Sequence, residues 1–304
     1  MLAHKSDMPK ELQEIWDELI MDVDTNISFD SVILSQDNKD KYKQFIKEHE
    51  YRHKLLSYGL EPSNRLLLYG ASGTGKTYSL KALSNLLQYT MIYVDIAKSL
   101  SEGNVAMNIS NIFKLGNYIA KNFDGCLIFL DECDSIMVNR DSTMAENGIV
   151  RRATNTIFQQ LDQMSHNAIF ASATNLLHRI DPAFERRLHI KMRFTRPQTD
   201  LDEDIKHFLY PKFLLNDDVD ETVREVVKRR ALNYAKLSYY EIEELVKRAM
   251  KNAVLNDTNI VNTSEIYDDI AASMNFKVKV GTALDDEKIF SNTSHFDPSL
   301  RENN

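Results

Sequence analysis

The sequence predicts an α/β protein: a five-stranded, largely parallel sheet flanked by helices, followed by a small all-helical C-terminal domain. Three observations carry this. Five short apolar runs rich in strand-forming residues alternate with helical periodicity between positions 65 and 194. A glycine-rich segment joins the first run to a helix. Beyond Arg196 the strand pattern stops while helical periodicity continues. The expected boundaries are an N-terminal helical extension over 1–25, a large domain over 26–196, a small helical domain over 197–276 and a C-terminal extension over 277–304.

Taken in order, Pro9 to Ile20 predicts a short amphipathic helix, with Pro9 near its first position and Leu12, Ile15, Trp16, Leu19 and Ile20 at helical spacing. Its apolar face can pack on its own domain or on a partner. Gln36 to Tyr58 reads as a charged helix with an apolar stripe of Tyr42, Phe45 and Ile46 and a stop at Gly59. The five strands are Arg65 to Tyr69, Met91 to Asp95, Cys126 to Leu130, Ala168 to Ala173 and Ile190 to Phe194. Helical segments fill the gaps, so the strands run parallel with both faces of the sheet covered. The small domain takes its helices from Leu201 to Phe213, Glu221 to Tyr234, Ser238 to Asn256 and Ser264 to Met274, the third opened by a capping box from Ser238 to Glu241. Thr293 to Asn304 is a polar tail.

Composition bounds the function. The 304 residues are 43% hydrophobic and 27% charged, with only 9 Gly and 6 Pro, which fits a compact soluble protein. A formal charge of -8 lacks the basic footprint of a protein that neutralises phosphodiester backbones, and so disfavours nucleic acid. The two cysteines, Cys126 and Cys133, lack metal-ligand spacing and read as reduced thiols. The first residues show no apolar signal region and no stretch is long enough to cross a bilayer, so a cytoplasmic location is expected without a membrane partner.

The sharpest chemical signal is Gly70-Ala71-Ser72-Gly73-Thr74-Gly75-Lys76-Thr77, a GxxxxGK[ST] string directly after one apolar run and before a helix. Its glycines let backbone N–H groups wrap a phosphate, and the helix adds its positive end. Lys76 would neutralise the β and γ phosphates of ATP, and Thr77 would offer a hydroxyl to Mg²⁺. Ser72, Gly73, Thr74, Gly75 and Tyr78 complete the predicted nucleotide contacts in a P-loop NTPase fold. Such a loop needs an acidic strand end beside the metal, and Asp131-Glu132 follows Leu130. Asp131 would hold the Mg²⁺ shell and Glu132 would polarise the attacking water. Asn175, after the next strand, can orient that water or sense the γ-phosphate.

From about Ser28 to Ala253 the sequence resembles a AAA domain, the branch of AAA+ ATPases with katanin-like, spastin-like and protease-associated members. The motifs are Phe29-Asp30-Ser31-Val32-Ile33, the P-loop, Leu130-Asp131-Glu132-Cys133-Asp134, Ala173-Thr174-Asn175, Asp181 to Arg187, and Ser238-Tyr239-Tyr240-Glu241-Ile242-Glu243-Glu244-Leu245. The resemblance implies that Val32 and Ile33 border the adenine. It also implies that Arg187 or Arg186 reaches a neighbouring subunit's ATP as an arginine finger, with Arg187 the first choice. A homohexameric ring is the family's usual assembly. The sequence departs from the family where an aromatic residue often lines the first pore loop: Ser101 stands there, two positions before Gly103, with Leu100 as the available apolar contact. Glu146 to Arg152 matches the second pore loop or a plain solvated loop.

Three functions follow as expectations. The leading one is a ring ATPase that remodels a protein partner through relative motion of its large and small domains. The second is a nucleotide-gated regulatory ATPase that switches an effector such as a protease, favoured by the missing pore aromatic. A DNA-transaction ATPase is the least favoured, on charge.

Overall fold

The computed structural model describes residues 3–101, 104–137, 148–197, 200–231 and 236–281. The chain divides into two compact units, Met1–Thr195 and Arg196–Asn304. Glu102, Gly103, Glu146 and Asn147 of the two expected pore loops, and the expected C-terminal extension beyond Gly281 with its polar tail from Thr293, lie outside the described residues.

The first unit opens with α1 (Lys10–Leu19), for which Pro9 is the N-cap, and a two-residue strand, β1 (Ile20–Met21). The expected strands follow as β2 (Arg65–Gly70), β3 (Thr90–Val94), β4 (Cys126–Leu130), β5 (Ala168–Thr174) and β6 (Ile190–Phe194). They form one sheet in the order β1-β3-β4-β5-β2-β6. The sheet therefore has six strands rather than the expected five. The five long strands are parallel, and β1 pairs antiparallel to β3 through Ile20↔Val94 and Met21↔Tyr93. Two residues are too few to show alternation, and Ile20 continues the periodicity of the helix before it.

Alternation within each strand supplies a core on both faces. Leu67, Ile92, Ile128 and Phe170 point to one side, together with the buried face of α1 (Leu12, Ile15, Leu19). Leu66, Leu68, Leu127, Phe129 and Ile169 point to the other, with Tyr42 and Phe45. The amphipathic face of α1 is thus spent on its own domain. The predicted helix from Gln36 to Tyr58 is two helices, α2 (Gln36–Glu50) and α3 (Arg52–Ser57), broken at Tyr51, whose ψ of 13° is not helical. No glycine or proline marks that break. α2 covers the open edge of β6: Asn38 Nδ2 and Lys41 Nζ donate to the carbonyls of Arg193 and Lys191 at 2.9 and 3.0 Å. Two edge carbonyls that could otherwise pair with a further strand are so satisfied.

The remaining helices of this unit are α4 (Lys76–Leu87), α5 (Ile96–Ser101), α6 (Val105–Asn122), α7 (Gly148–Asp162) and α8 (Pro182–Arg187). Gly148 opens α7, so the end of the expected second pore loop is helical. In α5, Ile96 and Leu100 are four residues apart and both are partly buried against the core.

The second unit contains α9 (Leu201–Phe208), α10 (Glu221–Arg230), α11 (Tyr239–Leu255) and α12 (Thr263–Gly281). Ser238 and Glu241 form the expected capping box of α11. The unit is not all-helical. β7 (Leu214–Asn216) and β8 (Ile260–Asn262) pair in parallel. Three-residue strands carry too little pattern to be read from sequence, and the apolar spacing up to Phe213 extends the helical pattern beyond the true end of α9. Asp202 organises the packing here: it accepts hydrogen bonds from Arg224, Lys228 and Tyr267 at 2.8, 2.8 and 2.6 Å.

Candidate active site

The loop between β2 and α4 is shaped by its glycines. Gly70, Gly73 and Gly75 have φ of 141°, 72° and 92°. A Cβ on Gly70 would lie 2.0 Å from the Phe194 carbonyl oxygen, so the close approach of β6 excludes any side chain there. Thr74 Oγ1 donates to the Ala71 carbonyl at 2.8 Å and fastens the turn internally, while Ser72 is exposed at its tip. Gly75 caps α4 in the left-handed region, and the first N–H groups of that helix face the loop.

Lys76 is folded back over this loop and only 7% exposed. Its ammonium donates to the carbonyls of Gly70 and Ala71 at 2.9 and 2.8 Å and to Asn175 Oδ1 at 2.8 Å, which satisfies all three of its protons. Burial lowers its pKa from the ordinary lysine value, against the opposite pull of Asp131 and Asp134. Asn175 sits just past the end of β5, next to β2 in the sheet, and this adjacency lets the two side chains meet.

β4 delivers the acidic pair. Asp131 Oδ2 accepts from Thr77 Oγ1 at 2.9 Å and from Tyr93 OH at 2.8 Å, while Oδ1 accepts the Glu132 N–H at 2.9 Å. Glu132 is exposed and holds a left-handed backbone, φ 48°. Thr174 donates to Asp134 Oδ1 at 2.6 Å and so links the end of β5 to the turn after β4. Burial and the Asp131 carboxylate push the Tyr93 phenol up, which keeps it protonated and a donor.

This arrangement suits a phosphate with a hard divalent cation. Thr77 donates its hydrogen bond to Asp131, which leaves the lone pairs of its hydroxyl available, and a carboxylate oxygen lies beside it. Mg²⁺ takes one or two such protein oxygens, water and the phosphates themselves. On the opposite flank of α4, Tyr78 OH and Ser31 Oγ lie 2.9 Å apart, and Asn85 Nδ2 donates to the Ile27 carbonyl. These contacts tie the short turn Phe29–Ser31 to α4 just before Val32, which is buried, and Ile33, which is half-buried. Tyr42 and Ser79 pair at 2.9 Å beneath the Lys76 carbonyl.

Arg186 and Arg187 stand apart from this cluster. They end α8 and precede β6, whose Ile190 pairs with Leu66 at the start of β2. The P-loop leaves the other end, where Gly70 pairs with Phe194. Four residues of strand separate the two ends, about 13 Å at the usual rise. Arg187 lies over the Phe158 ring at 4.4 Å, donates to the Ala183 carbonyl at 3.1 Å and pairs with Asp162 at 3.5 Å. Asp162 also approaches Arg65, the first residue of β2, at 4.0 Å. Arg186 is exposed, with Nε donating to the Pro182 carbonyl.

Sequence reasoning passed over Tyr93 and Asp162, and quoted Thr174 in a motif without its bond to Asp134. For Tyr93 the available signal was a hydroxyl within an apolar run, but its partner depends on the register Tyr93↔Phe129 between β3 and β4.

Comparison with known proteins follows the same lines. The family model described as "ATPase family associated with various cellular activities (AAA)" matches residues 66–196. The proteasome-activating nucleotidase of Methanocella arvoryzae is 30% identical over 225 residues, 71% of this chain and 51% of that protein. The 26S proteasome regulatory subunit 6B homolog of Encephalitozoon cuniculi is 33% identical over 171 residues, 53% of this chain and 43% of its own. The peroxisomal ATPase PEX6 of Neurospora crassa is 26% identical over 253 residues, 77% of this chain but 18% of its own. The chain thus spans about half the length, or less, of these relatives.

Proposed function

The chain carries a domain of the AAA ATPase family, and from that premise we propose that it hydrolyses ATP in a ring of identical subunits and couples the cycle to remodelling of a protein partner. The observation that carries this reading is the meeting of Lys76, Thr77, Asp131 and Asn175 around a glycine loop at a helix N-terminus. In this reading Ser72, Gly73, Thr74 and Gly75 supply backbone donors to the phosphates, and Lys76 exchanges its carbonyl partners for the β and γ oxygens. Thr77 and Asp131 hold Mg²⁺, which when bound neutralises phosphate charge. Glu132 takes the proton side of the attacking water and Asn175 orients it. Val32, Ile33 and Tyr78 border the adenosine.

Arg187, with Arg186 beside it, completes the chemistry of a neighbouring subunit. The separation of α8 from the P-loop along β2 and β6 supports this, because the side chain starts at the wrong end of the sheet to serve its own phosphates. A homohexamer is the assembly we propose, with a protein substrate or effector as partner. The charge of -8 argues against nucleic acid. No helix among the described residues is long and apolar enough to cross a membrane. We read the site of action as cytoplasmic, in keeping with Cys126 and Cys133 as free, buried thiols.

One observation favours switching an effector over threading a polypeptide: Ser101 stands at the pore-aromatic position, and its neighbour Leu100 is half-buried against the core. The test of the shared ATPase reading is Glu132→Gln. It is expected to retain ATP, gain mass in solution on ATP addition and lose turnover. Turnover at the wild-type rate would overturn the mechanism.

A further inference from the structure

We propose that Tyr93 is a positioning residue for the metal side of the phosphate site, its hydroxyl holding the Asp131 carboxylate in the orientation that a Mg²⁺ shell requires. This rests on the reading of Asp131 as the metal-side carboxylate.

The geometry comes from strand register. Tyr93 lies directly across from Phe129, and the two rings meet edge-on with centroids 5.0 Å apart. Asp131 directly follows the last residue of β4, two positions past Phe129, and two residues of strand advance about 6.6 Å. A phenol spans that advance, whereas the bare ring of phenylalanine stops short of the carboxylate. The Tyr93 hydroxyl therefore arrives at Asp131 Oδ2, the atom that also accepts from Thr77.

An ionised carboxylate has about four lone-pair positions. Three are taken here: two on Oδ2, from Tyr93 and Thr77, and one on Oδ1, from the Glu132 N–H. The torsion of an aspartate carboxylate is broad and is not set by its own rotamer well. Without Tyr93, Oδ2 keeps only the Thr77 hydroxyl, the same group whose lone pairs must serve the cation. Tyr93 separates the two tasks. It anchors the carboxylate from the sheet, and Thr77 is then free to face the metal. The hydrogen bonds of Lys76 go to Gly70, Ala71 and Asn175 and not to Tyr93, so phosphate contacts made without metal should be independent of it.

The test is a titration of the full chain with a fluorescent ADP analogue, in EDTA and across graded Mg²⁺, for wild type, Tyr93→Phe and Asp131→Asn. Tyr93→Phe is expected to need about tenfold more Mg²⁺ for half-maximal tightening, the usual size of an outer-shell loss, with metal-free binding within about twofold of wild type. The EDTA arm also reports that the variant is folded. A wild-type Mg²⁺ midpoint in Tyr93→Phe, while Asp131→Asn loses the Mg²⁺ effect, overturns the role of Tyr93 alone. Equal weakening with and without metal also overturns it, since Tyr93 would then act through packing. If Asp131→Asn itself keeps the wild-type midpoint, the reading of Asp131 fails instead.

Discussion

The Lys76 ammonium donates to the side-chain carbonyl of Asn175 across 2.8 Å, joining the loop after β2 to the turn after β5. On the proposed function, this pair stands where a terminal phosphate would sit. Lys76→Ala should abolish measurable nucleotide binding, because it removes the positive charge from a desolvated site. Asn175→Ala should leave nucleotide affinity nearly intact and lower kcat about 100-fold, the usual loss for one oriented donor or acceptor at the reacting centre. Steady-state kinetics with a binding titration separates the two. A loss confined to KM in Asn175→Ala would contradict the assignment.

Gly70 is predicted to tolerate no side chain. Its φ of 141° lies where L-residues are strained, and an added Cβ would meet backbone of β6, which cannot swing away as a flexible side chain could. Gly70→Ala should cost about 3 kcal/mol or more, through strain and overpacking together. Thermal melting would show it as a loss of stability even without nucleotide. By contrast Gly75→Ala meets nothing within 4 Å and carries only the strain of its φ of 92°, so it should cost less.

The C-terminal unit should lose stability as pH rises from about 4 to about 7. Burial, then the charges of Asp200 and Glu203, push the Asp204 carboxyl up from 3.8 to about 7. The folded state therefore binds this proton more tightly than the unfolded chain does, and the associated stability is present below about pH 4 and lost as pH climbs to about 7. Asp204→Asn should raise the melting temperature at pH 8 and change it little at pH 4. An equal shift at both values would show that the carboxyl titrates normally.

The sequence was most legible where chemistry restricts the residue type. Only glycine accepts the backbone of positions 70, 73 and 75 without strain, and a lysine and threonine at fixed spacing from them point to a phosphate and its metal, so this part of the site could be read residue by residue. The five long strands were legible because alternating burial on a two-faced core leaves apolar runs of strand length. What escaped depended on register or was too short to have a period. β1 and the β7–β8 pair are two and three residues long. The break at Tyr51 has no sequence punctuation. Tyr93 and Asp162 matter through partners 38 residues away, in Asp131, and across helix ends, in Arg65 and Arg187. Spacing along a single chain carries no such pairings.

The central claim is that the ATP site is completed by a second copy of the chain, and a mixing experiment tests it directly. Glu132→Gln lacks the water-polarising group but keeps Arg187, and Arg187→Ala has the reverse defect. Each alone should be inactive. Mixed in equal amounts and assembled with ATP, they should regain about a quarter of wild-type turnover, since about one boundary in four then joins an intact Glu132 to an intact Arg187. A mixture that stays as inactive as its parts, although it forms rings, would contradict the account and return Arg187 to a role within its own subunit.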